Sequence, residues 1–361
     1  MGVAATPAGA SPAGADPSGF TQVNLVSDQM GVASLTDQNL VNAWGMAASP
    51  GTDQAPGSPL WVADNGTDVA TLYNNGTATS VSKVGLTVSV TGAAPTGQVF
   101  NTDPNPNDFV VTDASGHSGR AVFMFDTENG TIDGWNPGVG ATAPGPSMVT
   151  EIARNNGANA VYKGLAIATA SDGKTYLYAT NFRSGRVEAY DSTFTPVELP
   201  GGLFVDPRLP AGYGPFGIKE LAGNLYVTFA KQDAGLEDDV AGVGNGFVDV
   251  FTNDGAFVKR LVTRGSLNSP WGLALAPAGF GKFGGDLLVG NFGDGHINVY
   301  NPTNGAHLGQ LRQANGQPIV IDGLWDLMFG NGNAAKTNQL LFSSGPDDES
   351  HGLLGKIVAN S

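Results

Sequence analysis

One spacing recurs through this chain and leaves few folds open to it. A short apolar strand ends in Asp or Asn, a glycine-containing turn follows, and a second alternating strand closes on an aromatic residue. In four places the polar residue and the aromatic lie nine residues apart: Asp64 and Tyr73, Asp126 and Trp135, Asn181 and Tyr190, Asn291 and Tyr300. Period-two alternation on both sides of a turn is the signature of a β-hairpin, and a constant length marks one hairpin used repeatedly. Two further hairpins are interrupted by insertions, Tyr226–Phe229 with Val248–Phe251 and Leu340–Ser343 with Lys356–Val358.

A second phrase precedes most of these hairpins. It is an aromatic residue or lysine, then Gly and an apolar run: Trp44-Gly45, Lys163-Gly164, Phe216-Gly217, Trp271-Gly272, and a variant in which Trp325 is followed by Asp326. Glycine inside a strand suits a place where backbones crowd together, so these read as inner strands around an axis. No helical period of 3.6 is sustained anywhere. Hydrophobic residues make up 41% of the chain, enough for a core, while Gly 53 and Pro 22 supply the turns. Six sheets of about four strands around an axis predict an all-β, six-bladed β-propeller. The last unit stops after its third strand, and residues 20–26 form an orphan alternating strand at the other end. The N-terminal strand is therefore expected to complete the last blade and hide the open edges. Residues 1–19, nearly all Ala, Gly, Pro, Ser and Thr, are expected to be a flexible lead, and residues 20–361 one propeller domain.

Charge and composition exclude several functions. With 17 basic against 32 acidic residues, the net charge is −15, which repels phosphate backbones and argues against nucleic acid as a partner. Without cysteine there is no disulfide framework and no thiolate ligand or nucleophile. No apolar run is long enough for a membrane-spanning helix. An acidic, cysteine-free, Gly/Asn/Thr-rich chain has the character of an exported protein whose signal peptide is absent from this sequence. The triplets at Asn65, Asn75 and Asn129 match the glycosylation pattern, but Gly/Asn/Thr-rich turns also produce them by chance.

The chain resembles NHL-type six-bladed propellers in Ser269-Pro270-Trp271-Gly272 and in the strand end Val62-Ala63-Asp64. It is also similar to an uncharacterised family of exported bacterial and fungal propeller proteins. The longer phrases Asn39 to Gly45, Phe229 to Asp233 with Asp238 to Gly246, and Gly345 to Gly352 carry that likeness. The NHL resemblance implies that inner strands start, and second strands end, on one rim of the ring. Asn42, Trp44, Asp64, Asp126, Lys163, Asn181, Phe216, Lys231, Trp271, Asn291 and Trp325 then converge on one mouth of the channel. The aromatics there read either as packing between blades or as a stacking platform for a sugar or another flat ligand. The Asp and Asn residues read either as turn caps or as ligand-binding groups.

Two insertions leave the repeat at this same rim, residues 231–246 and 345–352. They bring Asp233, Glu237, Asp238, Asp239, Asp347, Asp348, Glu349 and His351 onto two loops. Clustered carboxylates repel one another unless a cation neutralises them. Ca2+ or another divalent cation held by Asp233, Asp238, Asp239, Asp347, Asp348 and Glu349 is one resolution, and solvation of two acidic loops is the other. No Gly-x-Ser-x-Gly elbow, His-x-His pair or His-Glu-x-x-His motif is present, and no nucleotide-binding glycine loop precedes a helix. Two functions follow. One is a secreted propeller that binds a glycan, a small molecule, a peptide or an extracellular protein at the rim. The other is a divalent-metal-dependent hydrolase of lactones or esters, with Asp348 or His351 as catalytic base.

Overall fold

The computed structural model describes residues 19–74, 81–142, 145–199 and 204–360, so most of the expected N-terminal lead and the Asn75 triplet lie outside the described residues. Six sheets are arranged as the repeat predicts. The first blade holds strands Ala43–Ala47, Leu60–Asp64, Val69–Asn74 and Ser82–Ser89 in chain order, and blades three, four and five repeat that meander. The sixth blade is the inner strand Leu324–Phe329, then Leu340–Ser344 and Leu353–Ala359, completed by the N-terminal strand Phe20–Ser27. That strand runs antiparallel to Leu353–Ala359, with Phe20 opposite Ala359 and Ser27 opposite Leu353. Pairing the two ends of the chain closes the ring and covers the outer edge of Leu353–Ala359.

The second blade departs from the sequence reading. Its inner strand is Pro95–Phe100, which pairs with Phe123–Thr127. Thr96 stands there where other blades carry an aromatic residue or lysine. A small hairpin, Val110–Thr112 with Ser118–Arg120, separates the inner strand from its partner, which hides the phrase from a search for the aromatic-glycine pattern.

Burial explains why the second strands read as continuous apolar runs. Every residue of Leu60–Asp64, Phe123–Thr127, Thr175–Asn181, Leu287–Asn291 and Leu340–Ser344 is buried, because both faces of a blade pack against neighbouring blades. Glycine is needed where the inner strands approach one another. A Cβ at Gly217 would collide with the carbonyl oxygen of Trp271, and one at Gly272 with that of Trp325. The sixth blade has Asp326 at this position, and its carboxylate instead bonds the neighbouring backbone: Oδ2 accepts the Met46 N–H at 2.9 Å and Oδ1 the Leu327 N–H at 2.7 Å. No helix among the described residues is long and apolar enough to cross a membrane.

Candidate functional site at the channel mouth

The first residues of the inner strands close the channel. Trp44, Phe216, Trp271 and Trp325, joined by Phe182, pack into one buried cluster with Phe292 against it. Trp44 and Trp325 stack at 3.5 Å between ring centres, Phe292 stacks on Trp325 at 4.0 Å, and Trp271 meets both tryptophans edge-on. Their faces are thus occupied by one another. The rim aromatics form a plug, and a stacking platform open to a ligand is not what Trp44, Phe216 and Trp325 present, each being 1% exposed.

Two of the three plug tryptophans use their indole N–H. Trp271 Nε1 donates to the Lys163 carbonyl at 2.7 Å, and Trp325 Nε1 donates to Asn42 Oδ1 at 2.8 Å. Trp44 Nε1 is buried without a partner among the described residues.

Lys163 lies directly over this plug, its ammonium 5.3 Å from the Trp44 ring. The side chain is 3% exposed and is held by Glu128 and, at 3.3 Å, by Asp238. Burial alone would push the ammonium down, but Glu128 and then Asp238 outweigh it and hold the group above its ordinary value. A chain of amides links the other members. Asn42 Nδ2 donates to Glu349 Oε2 at 2.6 Å and to Asn65 Oδ1 at 3.2 Å, and Asn65 Nδ2 donates to Glu128 Oε2 at 3.0 Å. Asn42 reaches this position from a left-handed backbone, φ 47°, a conformation asparagine tolerates better than most residues. Burial pushes Glu349 up to about 6, Glu128 adds to that, and Lys163 and the Asn42 bond oppose it. Burial raises Asp239 as well, with Lys163 again opposing.

The two insertions therefore do meet, and their meeting point is an ammonium. Asp238, Asp239 and Glu349 gather around Lys163. The other proposed cation ligands do not: Asp233 Oδ1 accepts the N–H groups of Glu237 and Asp238 within its own loop, Asp347 N donates to Asp322, and Asp348 is exposed. Among the described residues no group of three or more His, Asp or Glu is placed to hold a metal ion. The positive charge that faces these carboxylates where the loops meet is Lys163.

The remaining candidates are placed as follows. Asp64 accepts from Thr71 Oγ1, and burial raises its carboxyl well above the usual range. Asp126 accepts from Thr96 Oγ1 and the Gly97 N–H, and burial pushes it up to about 7. Asn181 bonds Glu188, and Asn291 bonds Asp294 and the Ser266 carbonyl. All four stay within their own blade or the loop beside it. His351 Nδ1 pairs with Asp28 Oδ2 at 2.7 Å, and its carbonyl accepts the Asn42 N–H, so its ring is committed to the N-terminal segment. Lys231 is exposed at the end of its strand.

Sequence reasoning missed Glu128 and Asn65. Each directly follows a second strand, on the turn side already assigned to the rim. Extending the rim by one or two residues past Asp64 and Asp126 would have included both. A polar cavity of about 500 Å3 opens beside this cluster, lined by Glu128, Asn129, Ala160, Arg183, Glu237 and Asp238, with Arg183 and Glu237 paired across it.

No protein-family model matches the chain. The uncharacterized protein R648 of Acanthamoeba polyphaga mimivirus is 32% identical over 341 residues, covering 92% of this chain and 78% of that protein. A second mimivirus protein, the uncharacterized L690, is 32% identical over 345 residues, covering 92% and 84%. Among solved structures, an α-L-arabinanase of Penicillium chrysogenum complexed with arabinobiose aligns with a TM-score of 0.53 at 10% identity, over 94% of this chain and 98% of that one. A putative gluconolactonase aligns with a TM-score of 0.51 at 14% identity, over 96% and 94%. At such identities the structural likeness concerns the propeller fold alone.

Proposed function

The chain belongs to the family of the uncharacterized mimivirus proteins R648 and L690, and from that premise we propose that it binds a small, hydroxyl-rich ligand, a sugar or sugar lactone, at the Lys163 mouth. The observation that carries the reading is the buried Lys163 and Asn42, held by Glu128, Asp238 and Glu349, with the partly exposed Glu128 and the exposed Asp238 also lining an open polar cavity. The carboxylates of Glu128 and Asp238 accept from ligand hydroxyls, while Arg183 and Asn129 on the cavity wall offer donors to ligand oxygens. Convergent polar groups with shifted pKa values in a concavity are where binding or catalysis is expected. An exported setting, consistent with the composition, is part of the same reading.

Calorimetric titration with a panel of mono- and disaccharides, including arabinobiose and gluconolactone, tests it. At least one member should bind, and Asp238→Asn with Arg183→Ala should abolish that binding while the melting curve holds. Absence of binding across the panel, or binding indifferent to both substitutions, overturns the proposal.

One observation favours a hydrolytic variant of this reading. A carboxyl titrating at about 6 beside an ammonium, as Glu349 does, is suited to act as a general acid or base near neutral pH. Lactone hydrolysis that disappears in Glu349→Gln, with ligand binding retained, would establish it. Melting curves in Ca2+ and in chelator separate this from metal-assisted hydrolysis, because a bound ion raises stability by mass action.

A further inference from the structure

Below the aromatic plug the channel opens again into a cavity of about 300 Å3, lined by the inner strands of all six blades. Its walls are mostly apolar, with Met46, Val99, Ile167, Ile218 and Met328 around the sides and Trp271 bordering it as well. This is the lower end of the size range of small-molecule pockets, ~300–1,000 Å3. The plug lies between it and the Lys163 mouth, so it is a second site with its own chemistry.

One ion pair spans this cavity. Lys219, on the inner strand of the fourth blade, reaches Asp326 on that of the sixth at 2.9 Å and the Leu327 carbonyl at 3.3 Å. The two partners are unequally accessible: the Asp326 side chain is 3% exposed and Lys219 28%. The Asp326 oxygens are also engaged by the N–H groups of Met46 and Leu327. An ammonium has three donors, and two are accounted for. Glu220 lies at the cavity edge and is exposed, with Oε1 taking the N–H of Gly223 in its own turn. Gln98, on the wall, spends its amide N–H groups on the carbonyls of Gly45 and Trp61. Of the charged groups on the lining, Asp326 is buried and engaged and Glu220 lies at the edge, so the charged group that faces the mostly apolar walls with a donor left over is the Lys219 ammonium.

We propose that this cavity binds a small amphipathic carboxylate, its apolar body packed against the inner strands and its carboxylate on Lys219. Burial of the apolar part supplies the driving force, and the low local dielectric strengthens the contact with Lys219. Trp271 borders the chamber, so occupancy is expected to change tryptophan fluorescence.

Octanoate and 1-octanol are matched probes, read by titration calorimetry and tryptophan fluorescence on the full chain. Octanoate should bind once per chain and about tenfold more tightly than octanol. Lys219→Met should remove that preference by weakening octanoate about tenfold while leaving octanol unchanged. Met328→Trp, at a half-buried wall position, should block both probes without lowering the melting temperature. Saturation with octanoate should leave sugar binding at the mouth unaltered. Failure of octanoate to bind, equal affinity for the two probes, or binding undiminished in Met328→Trp overturns the proposal.

Discussion

Two lysines lie along the channel, one on each side of the aromatic plug, and they are neutralised in opposite ways. Lys163 is 3% exposed and carries more negative charge than it can balance, with Glu128 and Asp238 in contact and Glu349 and Asp239 within its field. Lys219 is 28% exposed and matched one to one with Asp326. Around the mouth cation, burial of Glu349 with Glu128 beside it pushes that carboxyl up to about 6, although Lys163 opposes the shift. A one-to-one pair with backbone donors on the anion carries no surplus charge. The mouth is thus sensitive to pH, and the lower cavity to the charge of what enters it.

The sharpest way to break this comparison is to remove each lysine. Lys163→Met removes the buried ammonium that faces Glu128, Asp238 and Glu349. It should destabilise the protein by about 3 kcal/mol, the low end for a buried pair because Glu128 and Asp238 keep part of their solvent, measured by urea unfolding at pH 7. Lys219→Met should cost less, about 1–3 kcal/mol, since Asp326 keeps the N–H groups of Met46 and Leu327. Equal losses would show that the two sites do not differ as described.

Smaller, and specific to the mouth, is a pH effect. Glu349 titrates at about 6 in the folded protein, against 4.5 for an unperturbed glutamate. The folded state therefore binds more protons than the unfolded state between these values, so stability falls as pH rises through that window. The loss is on the order of 2 kcal/mol. Glu349→Gln should flatten this slope relative to the parent chain, as seen in urea midpoints collected from pH 4 to 7. A slope that persists in the variant assigns it to other carboxyls.

The smallest effect is expected at Asp326. Asp326→Asn keeps an acceptor for one backbone N–H and should cost about 1 kcal/mol. It also frees Lys219 from its counter-charge, so octanoate should bind about threefold more tightly, read in the same titration. Weaker binding in this variant would mean that Asp326, and not Lys219, organises the chamber.

Local pattern alone determined the six hairpins, the role of the inner-strand glycines and the closure of the ring by residues 20–26. Alternation, turn chemistry and an unfinished last unit are written within a few dozen residues of one another, and a strand's pairing follows from its period. Pattern failed at Pro95–Phe100, where Thr96 replaces the aromatic and an inserted hairpin breaks the rhythm. It also placed the acidic insertions at the same rim without saying what neutralises them. That required knowing that Lys163 lies within reach of Glu128 and Asp238, 35 and 75 residues away in the chain. Nor does the sequence tell whether Trp44 and Trp325 face a ligand or each other, or that Lys219 crosses to Asp326. Charge balance and desolvation depend on distances through space, and only the closed ring, by bringing the ends of six inner strands to one axis, sets those distances.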